Sequence, residues 1–464
     1  MDVRAEFRAH IFSFDNPAHP RNFPRLMSTK KRKSSRRKYL RAAGMLFLAA
    51  ILAIGGWHLV LKVKLDRQLA GLRAAGCPVT LQEYANWVAP ANTSAELLAQ
   101  SLSMLEMSPL LLEELPVVSN NDLPPSIDLL DEEILEKTRF LLSANSDFFA
   151  FLDLCSTTES PSPRIETILW EEQSAPLVHH CMQAQQLLLL RILLLSRDEA
   201  NAEVAGQSLQ QILLFNEFLA AIPDAQAQLQ AAQATLIACK ALDLIFQHLE
   251  PADHAQILDS AAASFSRIRL EPSIHKALAG AVTRAHIEFR SGFDTAWSYY
   301  MPHLPIEELH PLHRFWAKAS GITARRTGEL FSMARSIWEQ TGPEELVPYR
   351  DVMNVLPGNA ELAALGGPFL EEFASIQHLQ RNALQAIAWR NIALIAISRL
   401  STDTNIPDAQ LLDPFSGNPM MIQERPGGMT AIYSVGPDLQ DNGGQTIPLD
   451  NNRPDLLFLL RSSD

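Results

Sequence analysis

The sequence predicts a mainly α-helical protein: a single N-terminal transmembrane helix, a helical-hairpin ectodomain built as a solenoid or bundle, and a small C-terminal β module. Three observations carry this reading. The run from Ala42 to Leu61 contains no Asp, Glu, Lys or Arg. From about residue 126 to residue 400, apolar residues recur at steps of three and four. After residue 401 the composition turns to Gly, Pro, Asn and Asp around short β-prone runs.

The span comes first in the chain. Ala42–Leu61 reads AAGMLFLAAILAIGGWHLVL. At ~1.5 Å per residue such a helix reaches ~30 Å, the hydrocarbon thickness of a bilayer. Trp57 and His58 lie toward its distal end, where amphipathic rings suit the membrane interface. Lys30, Lys31, Arg32, Lys33, Arg36, Arg37, Lys38 and Arg41 crowd the proximal flank, against Lys62, Lys64 and Arg67 on the other. The positive-inside rule therefore keeps residues 1–41 in the cytoplasm and places residues 62–464 beyond an inner (plasma) membrane. The head is too long for a secretory signal peptide, and no small-x-small site follows promptly, so an uncleaved single-pass anchor is expected. Membrane lipid is the first expected partner, through Ala42–Leu61 and the basic flank.

Charge follows the same division. Residues 1–44 hold 12 Lys/Arg and 3 Asp/Glu, out of totals of 39 and 52, leaving a body with a net charge of −22. A basic head and an acidic body fit two compartments separated by a barrier. An acidic body also excludes nucleic acid as a partner, since a phosphate backbone needs a basic surface. Cys77, Cys155, Cys181 and Cys239 all follow the span. Disulfides in an oxidising compartment and four buried thiols are both open, and the spacing matches no zinc pattern.

Residues 62–125 read as a connector punctuated by Pro78, Pro90, Pro109, Pro116, Pro124 and Pro125. One or two helices are expected over 127–156, then a loop over 157–176 containing Pro161, Pro163 and Pro176. Residues 177–196 are apolar around most of the helical circumference and so predict a central core helix. Helices at 200–222 and 224–249 are broken by Pro223-Asp224 and should form an antiparallel hairpin. In the second, Leu229, Ala232, Leu236, Cys239, Leu242, Phe246 and Leu249 form one stripe, which predicts a buried Leu236. Helices continue at 252–266 and 272–300; after a Pro- and His-rich loop at 301–313 they resume at about 322–341 and 369–400. Stacked hairpins of this kind usually bind other proteins, so a protein partner is expected.

The sequence contains no GxSxG, HExxH, GxxxxGK[ST] or GxGxxG motif. His303, His310 and His313, with Glu307 and Glu308, come nearest to a metal cluster, but Pro305 and Pro311 interrupt them.

The segment 401–464 is expected to be the β module, with strands at Met420–Gln423, Thr430–Val435 and Leu456–Leu460, the first two joined around Pro426-Gly427-Gly428. Between the second and third lies an oxygen-rich, glycine-loosened loop carrying Asp438, Asp441 and Asp455, the chemistry a hard cation such as Ca²⁺ takes. Asp413-Pro414-Phe415-Ser416-Gly417-Asn418-Pro419, Tyr433-Ser434-Val435-Gly436-Pro437-Asp438, Gly443-Gly444 and Asp455-Leu456 occur in that order. This series resembles the C-terminal end of the major pseudopilin of type II secretion, over about residues 413–457. The resemblance implies a calcium loop, with Asp438 and Asp455 at the loop aspartates and Asp441 beside them. Leu439 stands where that family has glycine, and Gly44-Met45-Leu46-Phe47-Leu48-Ala49 lacks the family's glutamate after its processing site. The whole-chain layout resembles uncharacterised bacterial membrane-anchored proteins with a helical ectodomain. The expected function is an anchored scaffold or protein-interaction protein of the bacterial envelope. A component of a secretion or pilus-like assembly, or an envelope hydrolase with a dispersed site, are the alternatives.

Overall fold

The computed structural model describes residues 32–107, 131–155, 159–164, 171–195, 202–248, 251–300, 305–306, 309–341, 368–400, 412–444 and 456–461. Contacts divide the chain into Met1–Trp57 and His58–Asp464. Helix α1 runs unbroken from Arg32 to Ala74. Along its uncharged run the side chains are exposed up to Val60, apart from the half-buried Ile54. From Leu61 onward the pattern becomes a stripe, and Leu61, Leu65, Leu69 and Leu72 are buried. One helix is thus apolar on every side first and amphipathic afterwards.

The helices that follow are α2 (Leu81–Trp87), α3 (Thr93–Leu102), α4 (Glu132–Ala144), α5 (Ser146–Leu152), α6 (Glu171–Leu195), α7 (Ala202–Ala221) and α8 (Ala225–His248). Then come α9 (Pro251–Arg267), α10 (Ser273–Ser291), α11 (Phe293–Tyr300), α12 (Pro311–Ser320), α13 (Ile322–Thr341) and α14 (Pro368–Leu400). Local chemistry marks several of their starts. Thr80 and Glu83 form a reciprocal capping box on α2, and Asn92 caps α3 by accepting from the Ala95 amide.

The main core lies where α6, α7, α8, α9 and α14 pack together, and the ends of α3, α4 and α5 close it on one side. A second core gathers the distal part of α1 with α2, α10, α13 and Leu379 of α14. The connector residues Cys77, Val79, Tyr84 and Leu98 are fully part of these cores.

The α7–α8 corner is the most heavily tied part. Asp224 accepts from the amides of Gln226 (2.9 Å) and Ala227 (3.3 Å), capping α8. The Gln228 amide donates back to the carbonyls of Ala220 and Ile222 at the end of α7. Lys276 of α10 also donates to the Ala220 carbonyl; burial pulls its pKa down to about 8, against the opposing pull of Glu271. Arg284 reaches Asp224 at 3.4 Å. Helix α10 comes this close because residue 280 is glycine: a Cβ there would overlap the Pro223 carbonyl oxygen.

Three sequence expectations need correction. Helix α6 begins at Glu171, so residues 171–176 are helix, with Pro176 inside it. Pro176 is the sixth residue of the helix, beyond its first turn, and lacks the amide that an interior position would donate. Pro311–Ser320 is also helical: Pro311 sits in the first turn, where its missing N–H is not needed, and His310 caps the end by accepting from the Leu312 amide. Finally, Leu236 is half-buried. Of the predicted stripe Ala232, Cys239 and Leu242 are buried, and the buried surface of α8 extends through Ala227, Ala231, Ala234, Ala238, Ala241 and Ile245. Small side chains let neighbouring helices approach, and α8 packs against α6, α7 and α14 at once. Helix α8 is also long and apolar enough to cross a membrane, but its burial identifies it as a core helix.

The C-terminal strands β1 (Met421–Arg425), β2 (Met429–Ser434) and β3 (Leu456–Arg461) form an antiparallel sheet in the order β1-β2-β3. Arg425 pairs with Met429 across the Pro426-Gly427-Gly428 turn, as expected, with both glycines at positive φ. The sheet packs on α14 through Ile432 and Phe458.

Gly280→Ala is expected to destabilise the fold by ~1–3 kcal/mol, because the added methyl must push α10 away from the α7–α8 corner. Urea unfolding followed by circular dichroism measures this; an unchanged midpoint would show that the close approach is not required.

Candidate functional site

The polar groups that converge most densely lie where the chain leaves α14 and folds into the sheet. The Asp-Pro sequence at 413–414 begins a tight turn: the Gly417 amide donates to the Asp413 carbonyl (2.8 Å) and the Asp413 amide to the Asn418 carbonyl (2.7 Å). Gly417, at φ 72°, supplies the left-handed step that closes it. The Asp413 carboxylate is 1% exposed. Its Oδ1 accepts from the Phe415 amide (3.0 Å) and the Ser434 hydroxyl (2.8 Å). Its Oδ2 accepts from the Ser416 hydroxyl (3.0 Å) and the Val435 amide (3.2 Å). A buried carboxylate satisfied by four donors is a strong organising element, and this one ties the turn to the end of β2.

The same turn is roped to the helical core. Asn391 of α14 donates to the Leu412 carbonyl (2.9 Å) and accepts from its neighbour Arg390. Arg390 is buried and donates to the Ile268 carbonyl (2.7 Å) and to Glu271 (2.8 Å). Burial opposes the charged form of Glu271, yet the Arg390 guanidinium, with backbone donation and Arg269, holds its carboxyl below the ordinary value.

Beyond β2 lies the loop expected to hold calcium. Asp438 Oδ1 accepts from the Gln440 amide (3.1 Å) and Oδ2 from the Asn442 amide group (3.2 Å). Asp441 Oδ1 accepts from the Tyr433 hydroxyl (3.2 Å) and the Gly443 amide (2.9 Å). Asp455 lies outside the described residues. Leu439 adopts φ 60°, the left-handed conformation glycine favours. The backbone therefore takes the glycine-like course despite the larger residue.

The loop also carries a cation of its own. Arg425 at the end of β1 donates one guanidinium nitrogen to the carbonyls of Gly443 (3.0 Å) and Gly444 (2.9 Å). The donor set is oxygen-rich, as a hard cation requires, but a metal ion would have to displace this guanidinium to use those carbonyls. Among the described residues no three His, Cys, Asp or Glu side chains converge as a metal group. His310 and His313 lie 5.9 Å apart by ring centroids; His303, Glu307 and Glu308 are outside the described residues. All four cysteines are buried and free, and burial raises each thiol, Cys77 to about 12.

Sequence reading missed Asp413 and Arg425 as the groups that organise this region. The Asp-Pro-Phe turn was a usable signal for the first; the second depends on a hairpin bringing Arg425 back beside a loop eighteen residues later. Comparison with known proteins finds no matching family model, no similar curated protein and no similar solved structure.

Asp413→Ala is expected to cost ~2–4 kcal/mol, since it leaves buried donors on Ser434 and Val435 unmet, whereas Asp413→Asn should retain part of that stability. Protection of the Val435 amide in hydrogen exchange reads this locally, and full protection in the alanine variant would refute the hub.

Proposed function

We propose that this chain is a membrane-anchored scaffold or protein-interaction protein of the bacterial envelope. Helix α1 holds it in the inner membrane, with the N-terminus in the cytoplasm and residues 62–464 in the extracytoplasmic space. The observation that carries the reading is α1 itself. Its exposed apolar run is long enough for a bilayer and continues without a break into the buried leucine stripe of the domain. An anchor joined this way transmits position, as a scaffold needs. The buried ion pairs Arg390–Glu271, Arg284–Asp224 and Arg267–Glu217 link helices to one another and are accounted for by packing.

The test has two arms. A reporter active only in the cytoplasm, fused after Asp464, should be silent, and strong signal would invert the topology. Crosslinking of the full chain in its native membrane should then yield one reproducible protein adduct. Absence of any adduct under several crosslinkers would remove the scaffold reading.

The alternative, a component of a secretion or pilus-like assembly, rests on the resemblance of residues 413–457 to the pseudopilin C-terminus, and one observation is compatible with it: Leu439, where that pattern has glycine, adopts the left-handed backbone that glycine favours. It brings the calcium proposal with it. Asp438, Asp441 and Asp455 would supply carboxylate oxygens, and Gly443 and Gly444 carbonyls, to a Ca²⁺ ion that displaces Arg425. Arg425→Gln removes the competing charge and should bind Ca²⁺ at least ~10-fold more tightly than the parent chain, roughly 1.4 kcal/mol. Calorimetry on the detergent-solubilised full chain measures it. No heat from either chain at millimolar Ca²⁺ would dispose of the site.

A further inference from the structure

We propose that α12 is a second membrane contact: an interfacial helix whose Leu312, Phe315 and Trp316 enter the outer leaflet of the bilayer that α1 crosses. This rests on the reading of α1 as a membrane anchor. No residue of α12 is buried, and Leu312, Phe315 and Trp316 are 61%, 55% and 62% exposed. Their spacing of three and four puts them on one helical face. Three large apolar side chains together on a surface, two of them aromatic, mark a contact site, whereas scattered ones do not.

The other face is anchored. Arg314 and Lys318 both pair with Asp294 of α11, at 2.6 and 3.4 Å, and Lys318 lies 5.0 Å over the Phe293 ring. These bonds hold α12 against the domain with its apolar face outward. Arg314 and Lys318 thus lie on the face opposite Leu312, Phe315 and Trp316, toward α11.

The position of α12 along α1 identifies what covers that face. Gln68 of α1 lies against Gly328 of α13, Gly71 against Arg335, and the Ala75 carbonyl accepts from the Trp338 indole at 2.8 Å. The order is the same on both helices, so α13 runs parallel to the distal part of α1. Ile322, where α13 starts, is as many residues before Gly328 as Lys62 is before Gln68, about 9 Å in each case. Helix α10 agrees: it runs from His275, 4.7 Å from Trp338 by ring centroids, back toward Asp294 and α12. Helix α12 thus sits level with Lys62, the first charged residue after the apolar run. That is the depth of a membrane interface, where Trp and an amphipathic helix with basic residues on its polar face belong.

The neighbouring surface has matching chemistry. A shallow, open groove beside α1 is lined by Leu59, Val60, Val63, Lys64, Arg67 and Gln68, with Arg335 of α13, itself paired with Glu339 at 2.7 Å, at its edge. Along α1 the lining passes from apolar residues to cations, the polarity of a phospholipid from acyl chain to phosphate.

The test uses the full chain in phosphatidylethanolamine–phosphatidylglycerol vesicles, with and without brominated acyl chains. Tryptophan fluorescence is compared among the parent, Trp57→Phe and Trp316→Phe. Trp57 lies in the apolar run and reports the anchor; Trp316 reports α12. Each substitution is expected to remove a clear and separate share of the bromine quenching. If Trp57→Phe lowers quenching and Trp316→Phe does not, the anchor stands and the α12 contact is overturned. In that case, loss of Trp316 burial on dilution would assign the face to a second copy of the chain. If neither substitution changes quenching, both readings fail.

Discussion

The buried guanidinium of Arg390 is the group on which the two halves of the helical domain and the β module jointly depend. A cation this enclosed is tolerable only when its hydrogen-bond donors are met by carbonyls and carboxylates. Ile268, Glu271 and Asn391 meet them, which ties the α9–α10 linker to the middle of α14. Asn391 then carries the network to Leu412, and the turn that begins there ends in Asp413 and β2. One polar seam therefore runs from the helical core into the sheet. Removing any member would strand the rest in an apolar interior, so the seam specifies arrangement more than it adds stability.

Around that seam α8 and α14 bury many small residues among larger aliphatic ones. Helix α8 buries alanine along most of its length, and α14 contributes Ala383, Ala386, Ala393 and Ala396. Alanine has no side-chain entropy to lose and lets helix backbones approach closely, so long apolar helices can be covered on several sides at once. Gly280 is the extreme case, where even a methyl group would collide with a carbonyl. Such a core has little tolerance for added volume, and it makes the α7–α8 corner a rigid clasp closed by Gln228, Lys276 and Arg284.

Helix α1 joins two environments by a change of pattern along one continuous rod. Its apolar run presents greasy side chains on all sides, and its distal part presents only the Leu61–Leu65–Leu69–Leu72 stripe. The parallel run of α13 alongside it brings the start of α13 level with Lys62, where the charges on α1 resume.

Much of this was written in local sequence. The uncharged run, the helical periodicity, Pro223-Asp224 as a corner and Pro426-Gly427-Gly428 as a hairpin turn all depend on residues within a few positions of one another, and they reappear in the structure. What escaped the sequence depends on partners far away in the chain. Leu236 lies on the visible stripe yet is only half-buried, because alanines read as weak signals although they pack best. Pro311 read as a breaker but starts α12, since a helix terminus does not need the hydrogen bond proline lacks. In the candidate loop the aspartates were legible by type, but the commitment of Asp438 and Asp441 to loop donors was not. Only the folded hairpin brings the Arg425 guanidinium onto the Gly443 and Gly444 carbonyls. Periodicity and turn chemistry act over single residues to single turns, so the sequence alone determines the elements, the long apolar N-terminal helix among them. Which buried polar groups meet depends on how those elements pack, and only the tertiary structure decides that.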